Sequence, residues 1–297
     1  MLNLSLSEEL MKKIAIVTDS NSGISPEEAK RLGVHIVPMP FIIDGEIFYE
    51  NVSLSFDEFY EKQKLTRITT SQPNINEIVE LWEDLLKEYD EIVHIPMSSG
   101  LSASCETATN FAEQFNGKVQ VVDNKRISIT MRGSVVDAIN MAKDGKNAKE
   151  IKKFLEDTAL ESSIYIMVDT LKYLKQGGRV TPAAAAIGAV LNIKPVLQIQ
   201  GGKLDQYTKV LNVKTAKQKM IEAIKKDIET RFKSLVDGEK MKISIAHTAN
   251  EVNANLFAEE VKKEFPQIEL EYIDSLSMSV ATHIGPKALA VAIYRTY

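Results

Sequence analysis

The chain has little of what metal, redox and membrane chemistry require. It holds one cysteine, Cys105, so no internal disulfide forms and a zinc site built on several cysteines is excluded. A lone cysteine also fits a reducing compartment, and the cytoplasm is the expected location. Four histidines, His35, His94, His247 and His283, leave little room for a histidine metal cluster. No run approaches the ~18 consecutive apolar residues of a membrane span. The longest, Pro182 to Leu191, is too short, so no integral membrane segment is expected, although transient membrane contact stays open. Positive charge is not in excess either. Lys and Arg number 36 against 41 Asp and Glu, a net charge of −5, and no nucleic-acid partner is expected. Residues 1–10 lack the basic and continuously apolar parts of a secretory signal. They are expected to be an extension, with Met11 an alternative start. GxGxxG, GxxxxGK[ST], GxSxG and HExxH are all missing, which removes the direct routes to dinucleotide, P-loop, α/β-hydrolase and zincin chemistry.

What is present is ordinary globular material. The 297 residues are 44% hydrophobic and 26% charged, enough for two domains of ~100–200 residues. Short β-branched runs alternate with helical periods. Strands are expected at Ile14–Val17 and Val34–Met39, and at Glu91–Ile95, Lys118–Val122 and Ser163–Val168, the last three each beyond a helix-length segment, as parallel crossovers require. Asp44-Gly45 suits a type I′ hairpin turn. Ser55 with Glu58, Asn74 with Glu77, and Asn147 with Glu150 have capping-box spacing. Further on, a short helix precedes Gly177-Gly178, and Thr181-Pro182 opens an alanine-rich helix that is apolar all round. A hairpin spans residues 195–210, and a final helix follows Pro286. The domains are expected at 11–160 and 161–297.

Several polar clusters are candidates for a site. Asp19-Ser20 follows the first strand, where open parallel sheets bind ligands, but such residues also satisfy loop amides. Thr69-Thr70-Ser71-Gln72 gathers three hydroxyls and an amide, which an ST-turn alone also explains. In Ser98-Ser99-Gly100-Leu101-Ser102-Ala103-Ser104, a helix start is expected to aim amides and hydroxyls into the crevice, a good anion site. His283 precedes Ile284-Gly285-Pro286, read as a helix start that disfavours the imidazolium. His247 is its rival. Arg179, after Gly177-Gly178, is able to meet a phosphate or carboxylate bidentately. A solvated arginine after a glycine cap is the plainer alternative.

Taken in order, these segments resemble the DegV family of bacterial lipid-binding proteins. The resemblance rests on Ile16-Val17-Thr18-Asp19-Ser20, Val37-Pro38-Met39, Thr70-Ser71-Gln72-Pro73, Ser98-Ser99-Gly100-Leu101-Ser102, Tyr173 to Arg179, and His283-Ile284-Gly285-Pro286. It implies two α/β domains with mainly parallel sheets and one long-chain fatty acid in a slot between them. It implies no cofactor and no catalysis by the chain alone. Carried over, Thr70, Ser98 or Ser99, and His283 hold the carboxylate, with Asp19, Ser20, Ser71 and Gly285 in the supporting loops. Arg179 serves phosphoryl transfer or partner contact, because better-understood members present the acid to a separate fatty acid kinase that brings ATP. The chain departs from the family pattern at Ala103-Ser104, at Asp123-Asn124, and at Leu211, where many members carry arginine. Two other functions stay open. Ser98 or Ser99 with His283 would form an acyl-ester hydrolase, and a kinase-independent carrier or sensor would share the lipid site.

Overall fold

The computed structural model describes residues 12–50, 52–186, 193–237 and 239–297. The expected extension at 1–10, Met11, and the alanine-rich segment from residue 187 onward lie outside the described residues. The first half runs β1 (Ile14–Asp19), α1 (Pro26–Leu32), β2 (Val34–Val37), β3 (Pro40–Ile43), β4 (Glu46–Tyr49), α2 (Phe56–Leu65), β5 (Ile68–Thr70), α3 (Ile75–Leu85), β6 (Glu91–Ile95), α4 (Ser104–Ala112), β7 (Val119–Val121), α5 (Ser128–Lys143) and α6 (Ala148–Asp157). The second runs β8 (Ser162–Met167), α7 (Lys172–Gly177), α8 (Pro182–Ala185), β9 (Lys194–Ile199), β10 (Asp205–Val210), α9 (Val213–Thr230), α10 (Lys233–Asp237), β11 (Met241–His247), α11 (Glu251–Glu264), β12 (Leu270–Ser275), α12 (Met278–Ile284) and β13 (Leu289–Arg295).

Local chemistry explains many of the boundaries. Ser25 caps α1 ahead of Pro26, and Gly33, at φ 70°, ends it. Ser55–Glu58 and Asn147–Glu150 form reciprocal capping boxes. Asn74 caps α3 through the Asn76 amide instead. Asp44 and Gly45, both at positive φ, turn β3 into β4.

Three sheets result. β2-β1-β6-β7 is parallel throughout, and β4-β3-β5 is a small antiparallel sheet. The third, β10-β9-β8-β13-β11-β12, is mixed. Parallel crossover therefore describes the first sheet but not β8, which is antiparallel to both β9 and β13. The segment after Pro286 is β13 and not a helix. It is paired on both sides, by β8 and β11. Leu-Ala-Val-Ala-Ile is an unbroken apolar run because both faces of a central strand are covered.

No sheet mixes strands from the two sides of residue 160, yet the main core is shared by both. α5 joins them, packing on β1 and β6 and also on β11 and β13. A Cβ on Gly133 of α5 would stand 2.5 Å from the Tyr294 ring, so only glycine permits that approach. α12 leaves the second half and packs on β3, β5 and α2 of the first. Gln63 Nε2 donates to the Ala281 carbonyl at 2.9 Å across this contact.

Candidate functional site

Between the two halves lies a cavity of about 850 Å³ between atoms, counting its opening to solvent. Its walls are mainly apolar. Met97 and Leu101 come from the loop after β6, and Ile164, Ile166, Ile199 and Ala290 from the second sheet. Polar side chains interrupt them, among them Thr70 at the end of β5, Ser102, Arg179 and His283.

Thr70 Oγ1 and His283 Nε2 stand 2.8 Å apart. The ring occupies the last turn of α12 and not the helix start expected from Gly285-Pro286. A helix C-terminus favours a cation. His283 is nevertheless held neutral, its pKa lowered to about 4 by burial and then by the Arg179 charge. Its Nδ1 is buried without a partner among the described residues, and it faces Gly177 so closely that a Cβ there would stand 2.1 Å away. The Arg179 guanidinium is fixed by the chain itself, with Nη1 donating to the Gly177 carbonyl at 2.6 Å and Nε to the Leu101 carbonyl at 3.3 Å.

Thr70, Arg179 and His283 also line a second, outer cleft of about 360 Å³, together with Arg67, Tyr173 and Gln176. These three side chains therefore form a partition with an apolar chamber on one side and a polar port on the other.

The remaining expected residues fall into two groups. Ser71 lines the cavity, with Gln72 beside it. Asp19 and Ser20 do not line it but hold residues that do. The Asp19 carboxylate accepts from the Met97 and Asn21 amides, both at 2.9 Å. The Ser20 hydroxyl accepts from the Met39 amide at 3.0 Å. Gly285 ends α12 at φ 79°, and a Cβ there would meet the Tyr173 ring at 2.3 Å.

Ser98 and Ser99 lie outside the cavity lining. The Ser98 hydroxyl accepts from the Gly100 amide, and Ser99 Oγ accepts from Lys125 Nζ at 2.5 Å. The amides expected to face the crevice are spent locally. Ser99 N–H donates to Asp123, and those of Leu101 and Ser102 donate to the Ser98 carbonyl. Ser102 is the hydroxyl of this motif that reaches the cavity. His247 is not in the lining either, and its ring accepts from the Asn250 amide at 3.4 Å.

One residue had no sequence signal. Glu50 is 2% exposed and takes hydrogen bonds from Ser20 Oγ at 2.7 Å and from the Met278 amide. It thus ties the loop after β1 to the first turn of α12. Burial raises its pKa to about 7, and that of Asp19 to about 6. Alongside it, Asn21 Oδ1 accepts from Ser279 Oγ at 2.5 Å, and both residues line the cavity. The signal for this network is spatial, joining residues more than 200 positions apart.

Fold and cavity together define an α/β protein with an internal apolar slot closed at one wall by polar groups. A family model described as "Uncharacterised protein, DegV family" matches residues 13–296. The chain belongs to the DegV family. Protein DegV of Bacillus subtilis is 31% identical over 283 residues, covering 94% of this chain and 98% of that protein. A DegV-family protein of Thermus thermophilus, described as fatty acid binding, superposes with TM-score 0.85 at 26% identity, covering 95% and 99% of the two chains. The Bacillus subtilis structure, described as a fatty acid binding protein, gives 0.81 at 28% identity over 96% and 100%. Among the described residues no helix is long and apolar enough to cross a membrane.

Proposed function

We propose that the chain binds one long-chain fatty acid between its two domains, 11–160 and 161–297, and presents the carboxylate to a separate ATP-dependent fatty acid kinase. One observation carries this reading. An apolar cavity ends on a partition of Thr70, His283 and Arg179 that a polar cleft reaches from outside. Each buried methylene contributes about 0.8 kcal/mol, so the slot holds an acyl chain firmly without catalysis. The ionised head is costly to bury without donors. Thr70 supplies a hydroxyl and Ser102 a second, while Arg179 supplies charge. With Nε2 protonated, His283 donates to Thr70 Oγ1, whose own hydrogen then turns to the ligand. The outer cleft leaves a carboxylate oxygen open to a phosphoryl donor, with Arg179 beside it to offset developing charge.

A hydrolase gains no support from the geometry. Ser98 and Ser99 pair elsewhere, His283 pairs with Thr70, and among the described residues its Nδ1 has no carboxylate to orient it. Native mass spectrometry of protein expressed in bacteria tests the lipid reading. A co-purified acid of long-chain mass is expected. Protein that stays ligand-free after addition of long-chain acids would overturn it.

A further inference from the structure

α5 opens onto the same cavity. Ile127, Ser128 and Ile129 at its start line the cavity, and none of them lines the outer cleft. α5 has 16 residues, and Ile127 at its N-cap supplies no side-chain acceptor. The first-turn amides of Ser128 and Ile129 find no acceptor among the described residues. Ser128 is 6% exposed, and its hydroxyl has no hydrogen-bond partner among the described residues. It is also one of the few non-glycine residues at positive φ, 56°, a conformation a serine adopts at a cost.

We propose that Ser128 and the free amides of the first turn of α5 form a second polar station in the cavity, which takes an oxygen substituent carried on the acyl chain. The ligand class is a long-chain acid bearing an in-chain hydroxyl or keto group. The inference rests on the acyl-binding reading above and adds to it a preference for oxygenated chains. An unsubstituted chain would cover these donors without pairing them, and an unpaired buried donor is costly. A chain oxygen accepts from the hydroxyl and an amide together. The cavity is otherwise apolar along the second sheet, so the station selects by position along the chain.

The experiment titrates the full-length protein with octadecanoic acid and with hydroxyoctadecanoic acids that differ in hydroxyl position. Ser128→Ala and Ser128→Gly are compared. Glycine removes the hydroxyl while relieving the positive φ, so a folding defect in the alanine variant does not decide the result. Wild type should prefer one positional isomer over the plain acid, and both variants should lose roughly 5- to 30-fold for that isomer while binding the plain acid no more weakly than wild type, because the unpaired hydroxyl that a plain chain would cover is gone. Equal affinities for all isomers in wild type would overturn the station while leaving acyl binding intact. So would equal losses for plain and hydroxylated acids in the variants. If no acid binds wild type at all, the acyl-binding reading falls, and the station with it.

Discussion

His283 Nε2 meets Thr70 Oγ1 at 2.8 Å across 213 positions of sequence. One residue ends a strand of the small sheet and the other sits in the last turn of α12, so the contact forms only when the halves close on each other. The groups that hold Thr70 and His283 in place therefore control the site.

Gly177 is the first of these. Its replacement by alanine would put a Cβ against His283 Nδ1 and push the ring from Thr70. Alanine is the better helix former, so the fold should persist. Gly177→Ala should weaken long-chain acid binding roughly tenfold with an unchanged circular dichroism spectrum. Unchanged affinity would show that the ring position does not matter.

The second prediction concerns Thr70 itself. Thr70→Val keeps shape but removes the hydroxyl, and should cost roughly 5- to 30-fold in affinity for a long-chain acid. Thr70→Ser should restore most of it. Titration of both variants with an acid and its methyl ester checks the claim, since the ester should be less sensitive.

Much of the first half was legible because its signals are local. Asp44-Gly45, Ser55 with Glu58, and Asn147 with Glu150 each act within four residues. The end of the chain was not. A short apolar run has no period that separates a buried strand from a buried helix, and β13 is fixed only by its two neighbours. His283 was found, but in the wrong part of a helix, because Gly285-Pro286 ends α12 and does not start another. In the Ser98–Ser102 motif the sequence shows five residues of donors but not which ones the loop consumes. Glu50 and Ser128 carry no local pattern at all. Their importance comes from burial and from what lies across the interface.

Glu50 gives a prediction in pH. Its folded pKa is raised from 4.5 to about 7 by burial, so the protonated form is the one the fold prefers. The stability it contributes is present below about 4.5 and is lost as pH rises towards about 7. Glu50→Gln keeps an uncharged isostere, so its melting temperature should gain on wild type as pH increases across that window. A constant difference between the two proteins would contradict the assignment. His283 has the opposite slope, since its pKa is lowered to about 4 and stability is lost as pH falls from 6.5.

Arg179 lines both the cavity and the outer cleft. Arg179→Ala should keep most long-chain acid binding, which the apolar slot supplies. It should abolish acyl-phosphate formation when a fatty acid kinase and ATP are added. Loss of both together would make Arg179 a lipid-binding group alone.

A crystal structure with a long-chain fatty acid measures directly where the two ends of the ligand lie. The carboxylate should lie within hydrogen-bond distance of Thr70, on the partition shared with the outer cleft, and the acyl chain should run inward past Ile164 and Ile166. A carboxylate at another wall, or an acid bound outside with the cavity empty, would contradict this placement.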